Sequence, residues 1–262
     1  MSDSLVKVDV ADGVARVVLN RPQKRNALSR ELIEQLADAV NRAAADESVR
    51  LLVLASEGTV FCAGMDLGEM QQRAAQPDSS AEWKRDTEIY RDLVVALYSA
   101  ACPTLAVVQG PAVAGGVGLV AACDVVLAAG RAHFALPEPK RGITPAVVAP
   151  LLIHRIGAGW ASYMMLSLND ISAETALRMG LCHEVVPDRD LGRREAELTR
   201  AILTGAPAAL ATTKQHLRRI SGSELLAQLD AGMTVSAEAR ESDDAREGLA
   251  AFLEKRAPRW MP

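Results

Sequence analysis

Aromatic residues are scarce in this chain. Three Trp, three Tyr and three Phe make up 3% of 262 residues, so the core must be built mostly from Ala, Val, Leu and Ile. Cysteine is sparse as well. Cys62, Cys102, Cys123 and Cys182 are scattered, with no CxxC pair and no His at metal-ligand spacing. They read as reduced core thiols of a cytoplasmic protein, and no metal site is expected. No Lys/Arg-rich run stands out and the formal net charge is -4, which argues against a nucleic-acid footprint. No stretch of about 18 uninterrupted apolar residues exists, so no membrane span is expected. The N-terminal MSDSLVKVDV has no basic region leading into an apolar segment, so no signal peptide is expected either. Neither a GxGxxG spacing nor a GxxxxGK(S/T) loop is present, which speaks against a nucleotide-phosphate loop.

What remains is the composition of an ordinary globular protein, 49% apolar and 24% charged, long enough for one large domain or a main domain with a small appendage. Val6 to Val10 and Val14 to Leu19 flank Asp12-Gly13, a hairpin signal. Ser29 can cap a helix in which Leu28, Leu32, Leu36 and Val40 recur at helical spacing, with Ile33 and Ala37 beside them. Val49 to Ala55 is a buried-type strand. Gln71 to Ala81, polar and containing Pro77, reads as a mobile loop, and a helix from about Ala81 to Ala100 leads to the strand Pro103 to Val108. Val125 to Ala129 and His133 to Leu136 are further strand candidates, and Thr144-Pro145 can start a helix running to Ile156. Beyond it the chain reads as helices over Asp170–Met179, Asp190–Leu203, Pro207–Ile220, Glu224–Ala239 and Asp243–Lys255, broken by a short apolar segment at Val185-Val186. Strands alternating with helices, then helices alone, predict an α/β core over 1–200 and a helical subdomain over 201–262.

Chemistry concentrates in Gln109 to Asp124, QGPAVAGGVGLVAACD. A strand feeds glycines that open an apolar helix, leaving bare backbone N–H groups backed by the helix dipole. Such glycines either cradle an anion or a developing oxyanion, or only let the helix pack closely. A second turn, Ala63-Gly64-Met65-Asp66, also follows a strand, and N–H groups from the two turns could converge. Glu138 stands between Pro137 and Pro139 after an apolar strand, a rigid setting that can raise a carboxylate's pKa into a range useful for proton transfer. His133 and His154 read as local packing or surface residues and His216 as a helix-surface residue. Trp83, Tyr90 and Tyr98 read as core.

Several segments together resemble the crotonase (enoyl-CoA hydratase/isomerase) superfamily, in order along essentially the whole chain. They are Leu19-Asn20-Arg21-Pro22 with Asn26-Ala27-Leu28, Phe61 to Leu67, Gln109-Gly110 with Ala114-Gly115-Gly116 and Cys123-Asp124, Pro137-Glu138 with Arg141-Gly142, Gly180-Leu181, and Glu247-Gly248 with Phe252 to Arg256. The resemblance implies a strand–strand–helix spiral core with a C-terminal helical trimerisation subdomain, assembled as a homotrimer or dimer of trimers. It implies an enzyme that binds acyl-CoA thioesters and stabilises their enolates, with no cofactor beyond the coenzyme A of the substrate. Oxyanion-hole N–H groups then fall on Met65 and Gly115, with Gly116 turning the chain into the helix. Ala63, Asp66 and Leu67 line the adenine pocket. Lys24 or Arg25 lies near the CoA phosphates, Ala27, Gly116 and Gly118 are further positions expected to line the substrate or CoA site, and Phe252 and Lys255 reach the CoA of a neighbouring subunit.

One departure matters. Two-glutamate hydratases of this superfamily carry a glutamate three residues after the oxyanion-hole glycine, where this chain has Gly118 and so would leave open space. Glu138 matches the second glutamate and would act alone. A single base suits 3,2-enoyl-CoA isomerisation. Yet Met70-Gln71-Gln72, Pro103 to Gly110 and Gly142 to Pro150 resemble bacterial methylglutaconyl-CoA hydratases, which share the glycine, so hydration of a methylglutaconyl-like enoyl-CoA is the leading expectation. His216 and Lys84 resemble features of decarboxylating members, against which Glu138 argues, and a non-catalytic acyl-CoA binder is the remaining alternative.

Overall fold

The computed structural model describes residues 4–74 and 78–261. The chain begins with the antiparallel hairpin β1 (Val6–Ala11) and β2 (Val14–Leu19), whose turn residues Asp12 and Gly13 both have positive φ, as a two-residue hairpin requires. Helix α1 (Arg30–Ala45) follows, its first turn capped by Ser29 Oγ accepting the Leu32 N–H at 3.2 Å. Leu32, Ile33, Leu36, Ala39, Val40 and Ala43 form its buried stripe, while Leu28 lies ahead of the helix in a bridge to Met65.

The next elements are β3 (Leu51–Ser56), α2 (Leu67–Ala74), α3 (Ser79–Ser99), β4 (Thr104–Val108), β5 (Ala112–Val113), α4 (Gly115–Ala122), β6 (Val125–Ala129) and β7 (His133–Ala135). After these come α5 (Val148–Ser167), β8 (Ile171–Ser172), α6 (Ala173–Met179), β9 (Glu184–Val186), α7 (Leu191–Leu203), α8 (Pro207–Ser221), α9 (Leu225–Ala239) and α10 (Asp243–Leu253). One sheet runs β1-β2-β3-β4-β6-β9 and is parallel from β2 onward; a smaller sheet runs β5-β7-β8. The chain visits the first sheet, then the second, then a helix: β4, β5, α4, then β6, β7, α5. This is the strand–strand–helix spiral expected from the family resemblance. A parallel bridge from Cys62 to Ala112 carries the second layer back toward β3.

Strands β3, β4 and β6 are buried on both faces, hence their unbroken apolar runs. Leu52, Leu54, Ala106, Val108, Val126 and Ala128 face the main core. Their alternates Leu51, Val53, Leu105, Val107 and Leu127 meet α7 through Leu191.

Three expectations need correction. Residues 71–74 are helical within α2 and α3 begins at Ser79, so the loop expected over 71–81 is largely helix; its centre, 75–77, lies outside the described residues. The helix expected from Thr144 begins at Val148, after a 3₁₀ turn at Glu138–Arg141: the Pro145 carbonyl accepts the Val148 and Ala149 N–H groups, but Pro150 has no N–H to give the Ala146 carbonyl, so the first turn is not continued there. Its regular part does stop at Ile156, since Gly157 (φ 75°) interrupts α5. The helix expected from Asp170 starts at Ala173, because Ile171–Ser172 is extended and pairs with β7.

The C-terminal helices fold back over the core. Leu225 and Leu229 of α9 are fully buried, and Gly232 lies so close to Ala146 that a Cβ there would sit 2.3 Å from its carbonyl oxygen. Among the described residues no helix is long and apolar enough to cross a membrane. All four cysteines are buried and free, with burial pushing Cys62, Cys123 and Cys182 up to about 12.

Candidate active site

The two glycine turns meet. Gly64 (φ 83°) packs against Ala114, and a Cβ on Gly64 would stand 3.5 Å from the Gly115 nitrogen. Gly116 lies so close to Cys62 that a Cβ would fall 2.6 Å from the Cys62 carbonyl oxygen. Only glycine at these positions lets the start of α4 approach the turn after β3. Ala114, at the N-cap, takes φ 52° and ψ −123°, a strained conformation for an alanine that turns the chain sharply from β5 into α4. Gly115 is the first residue of α4 and so has no intrahelical acceptor. Met65 lies between Leu28's two backbone bonds, to the Gly64 carbonyl and from the Asp66 N–H, and its own N–H is spare. Among the described residues neither the Met65 nor the Gly115 N–H has an acceptor, and both residues line one cavity of about 500 Å³.

The motif residues around these turns have mainly scaffolding work. Asn26, fully buried with φ 51°, accepts the Arg21 N–H and donates to the Glu57 and Val60 carbonyls at 2.9 and 2.8 Å. It locks the Lys24–Leu28 loop onto the segment leading to Gly64. Asp66 receives Arg21 Nη1 at 2.7 Å and the Gly68 N–H at 3.0 Å. Burial pushes that carboxylate up, but Arg21 and the start of α2 outweigh it and hold Asp66 below its ordinary value. Asp124 accepts the Thr104 N–H and hydroxyl and the buried Lys214 ammonium, tying α4, β4 and α8 together.

Glu138 faces the same cavity from the 3₁₀ turn after β7. It is 8% exposed, and its Oε2 has no hydrogen-bond partner. Burial pushes its pKa up to about 7, against the opposite pull of its own backbone N–H and the guanidinium groups of Arg141 and Arg240. Helix α10 holds the turn from behind. A Cβ on Gly142 would lie 2.1 Å from the Asp244 carbonyl oxygen, and one on Gly248 would lie 2.3 Å from the Arg141 carbonyl carbon.

Lys24, Arg25, Ala27, Ala63, Met65, Asp66, Leu67, Gly115, Glu138 and Phe252 all line the cavity. Gly116 and Gly118 do not: Gly116 is spent on the Cys62 contact, and Gly118 is covered by Tyr90. Lys255, in a left-handed turn just past α10, is exposed and also off the lining. Phe252 comes to the cavity of its own chain, because α10 folds back onto the Glu138 turn, where the Phe252 ring packs 4.5 Å from the Arg141 guanidinium.

The expectation of open space at Gly118 is overturned. Tyr90 of α3 occupies it: its hydroxyl donates to the Gly115 carbonyl at 2.6 Å and stands 2.1 Å from where a Gly118 Cβ would be. A glutamate at 118 and this Tyr90 rotamer exclude each other. Burial, with Cys62 and Glu138 nearby, raises the Tyr90 pKa well above its ordinary value, so the phenol stays protonated. Arg240 and Ser236 are lining residues that sequence reasoning missed, and Tyr90, read as core, and Arg141, named only as a motif residue, line the cavity as well. Trp83 is buried beside the cavity, and Tyr98 stacks edge-on with His154 elsewhere. Among the described residues no group of three or more His, Cys, Asp or Glu is placed to hold a metal ion.

The model of the family described as enoyl-CoA hydratase/isomerase matches residues 9–262. The chain is similar to a 2,3-dehydroadipyl-CoA hydratase of Escherichia coli K12, 35% identical over 94% of each chain. It is 33% identical to a 1,2-epoxyphenylacetyl-CoA isomerase of the same organism over 96% of each. Among solved structures, an enoyl-CoA hydratase from Mycobacterium avium subsp. paratuberculosis K-10 superposes with a TM-score of 0.86 at 30% identity, covering 98% of this chain and 99% of the other.

Proposed function

The chain belongs to the enoyl-CoA hydratase/isomerase family, and from that premise we propose that it hydrates an enoyl-CoA of the methylglutaconyl type with Glu138 as its single catalytic carboxylate. The observation that carries this reading is one cavity lined by two spare N–H groups, at Met65 and Gly115, and by a buried carboxyl whose Oε2 is unpaired. The thioester oxygen sits between the two N–H groups, each typically worth about 3 kcal/mol as negative charge develops on that oxygen. Glu138, with a pKa of about 7, is poised to take a proton from water and return it to Cα. The Tyr90 hydroxyl spends its hydrogen on the Gly115 carbonyl, which leaves its oxygen free to accept a hydrogen bond from that water. Tyr90 thereby supplies a water-positioning group where the second carboxylate is missing. Lys24 and Arg25, exposed on the rim, meet the CoA phosphates, and no cofactor beyond the CoA of the substrate is called for.

A second reading, 3,2-enoyl-CoA isomerisation, is favoured by Gly118, because moving a proton between carbons needs one carboxylate and no positioned water. The same family premise has the chain assemble as a homotrimer or a dimer of trimers. Exposed apolar side chains on α5 (Trp160, Tyr163, Leu166) and α8 (Leu217, Ile220) support an assembly. Incubation with 2-enoyl, 3-enoyl and 3-methylglutaconyl thioesters, read by mass spectrometry, tests the reading. Gain of the mass of water supports hydration, double-bond migration without mass change supports isomerisation, and loss of carbon dioxide or binding without turnover contradicts both.

A further inference from the structure

Arg141 and Arg240 stand where the catalytic cavity borders a second one of about 200 Å³, lined by Met70, Ala74, Trp83 and Leu249. Arg240 follows α9 directly, and its guanidinium lies 5.7 Å from the Trp83 ring. Among the described residues no carboxylate lies within 4 Å of it, and its Nη1 is sealed from solvent with no hydrogen-bond partner. The carboxylate that acts on it most, Asp86, is already bonded to Arg30 and Arg73 at 2.8 Å each. Arg141 makes one hydrogen bond, to the Pro137 carbonyl at 3.2 Å, and its Nε is likewise buried and unpaired.

Both side chains are half-buried, and a guanidinium donor sealed from water with no acceptor is costly unless an anion offsets its charge. The cost is visible in Arg240, where burial pulls the pKa down to about 10. Arg141, which lines the same two cavities, is a second such group, and the Glu138 carboxyl on which both act is itself pushed up to about 7 by burial. Among the described residues the second cavity is lined mainly by apolar side chains, with Gln71 as its one neutral polar residue and Arg141, Arg240 and Arg246 as its charged ones.

We propose that Arg240 and Arg141 receive a carboxylate carried by the acyl group itself, so that the preferred substrates are CoA esters whose acyl chain ends in a free acid. The inference rests on the acyl-CoA reading above and assigns the residues that select within it. A planar carboxylate matches the donor fork of a guanidinium, and the Arg240 and Arg141 side chains both line the cavity that holds Glu138. The CoA phosphates are a poorer fit, because they are bulky and hydrated and the exposed rim offers them Lys24 and Arg25 instead.

Binding of unreactive saturated esters to the full-length protein, by calorimetry, separates the possibilities without turnover. Glutaryl- and adipyl-CoA are compared with pentanoyl- and hexanoyl-CoA. The wild type is expected to favour the acids by about tenfold or more, as a charge-assisted pair of hydrogen bonds warrants. Arg240→Met is expected to bring that ratio close to one, Arg141→Met to lower it less, and Arg240→Lys to restore part of it. Equal affinity of the wild type for both classes overturns the proposal while leaving acyl-CoA binding intact, and that comparison needs no variant to fold. Equal loss of both classes in Arg240→Met also overturns it, by placing Arg240 on the coenzyme. Failure of the wild type to bind any ester fells the acyl-CoA reading and this proposal together.

Discussion

Asp86 and Glu138 are two buried carboxylates, each felt by Arg240, and the molecule treats them in opposite ways. Asp86 accepts Arg30 from α1 and Arg73 from α2, and both of its oxygens are used. It braces α1, α2 and α3 around the turn that presents Met65. Glu138 leaves Oε2 unpaired, and Arg141 and Arg240 act on it without forming an ion pair. A paired buried charge holds structure together, whereas an unpaired one is an energetic liability retained where chemistry needs a carboxyl near its titration point.

The sharpest way to separate the two is to neutralise each. Glu138→Gln is expected to lower kcat by about 10³-fold while CoA-ester affinity changes little, since general acid–base catalysis typically contributes 10²–10⁴-fold. Steady-state kinetics beside calorimetric binding checks this, and a fall in affinity matching the fall in rate would argue for a binding role only. Asp86→Asn is expected to cost about 1.5–3 kcal/mol of stability, because it removes the buried charge that Arg30 and Arg73 share while leaving them Glu82 and Glu69, with a far smaller loss of rate per folded molecule. Denaturant unfolding measures it.

Next comes pH. The Glu138 pKa is raised from 4.5 to about 7, so between those values the folded state holds a proton that the unfolded state has lost. Its contribution is fully present below about pH 4.5 and is lost as pH rises through about 7, a swing of about 3 kcal/mol. Wild type is therefore expected to lose stability relative to Glu138→Gln from pH 5 to pH 8. Parallel curves for the two proteins over that range would mean that burial does not shift this group.

A smaller effect tests the Tyr90–Gly118 contact. Gly118→Ala brings a methyl to 2.1 Å from the Tyr90 hydroxyl and should destabilise by about 1–3 kcal/mol. Tyr90→Phe removes the clashing oxygen, so the double variant is expected to recover about 1 kcal/mol relative to additivity. Strict additivity would show that Tyr90 does not fill the Gly118 position.

The same contrast explains what was legible in the sequence. The glycine turns, the Asp12-Gly13 hairpin, the Ser29 cap and the proline-flanked Glu138 are local features, each marked within a few residues. Tyr90 meets Gly118 across 28 positions, and Arg240 comes alongside Glu138 only because α9 and α10 fold back over the core. A glycine shows that a side chain is missing but not which neighbour fills the space, so Gly118 read as a vacancy. Arg141 stood in a motif without a role and Arg240 carried no signal apart from being an arginine; their meaning lies in the partners they lack. Asp66, Asn26 and Asp124 showed the converse: motif residues whose polar atoms are consumed in holding loops.

Burial without a partner for Oε2 sets the Glu138 carboxyl apart from an ordinary glutamate, with its pKa pushed up to about 7. Carbon-13 NMR of carboxyl-labelled glutamate, with the resonance assigned by its loss in Glu138→Gln, tests it most directly. The expected result is a single titration with a midpoint close to 7. A midpoint near 4.5, the value of an ordinary glutamate, would contradict the account.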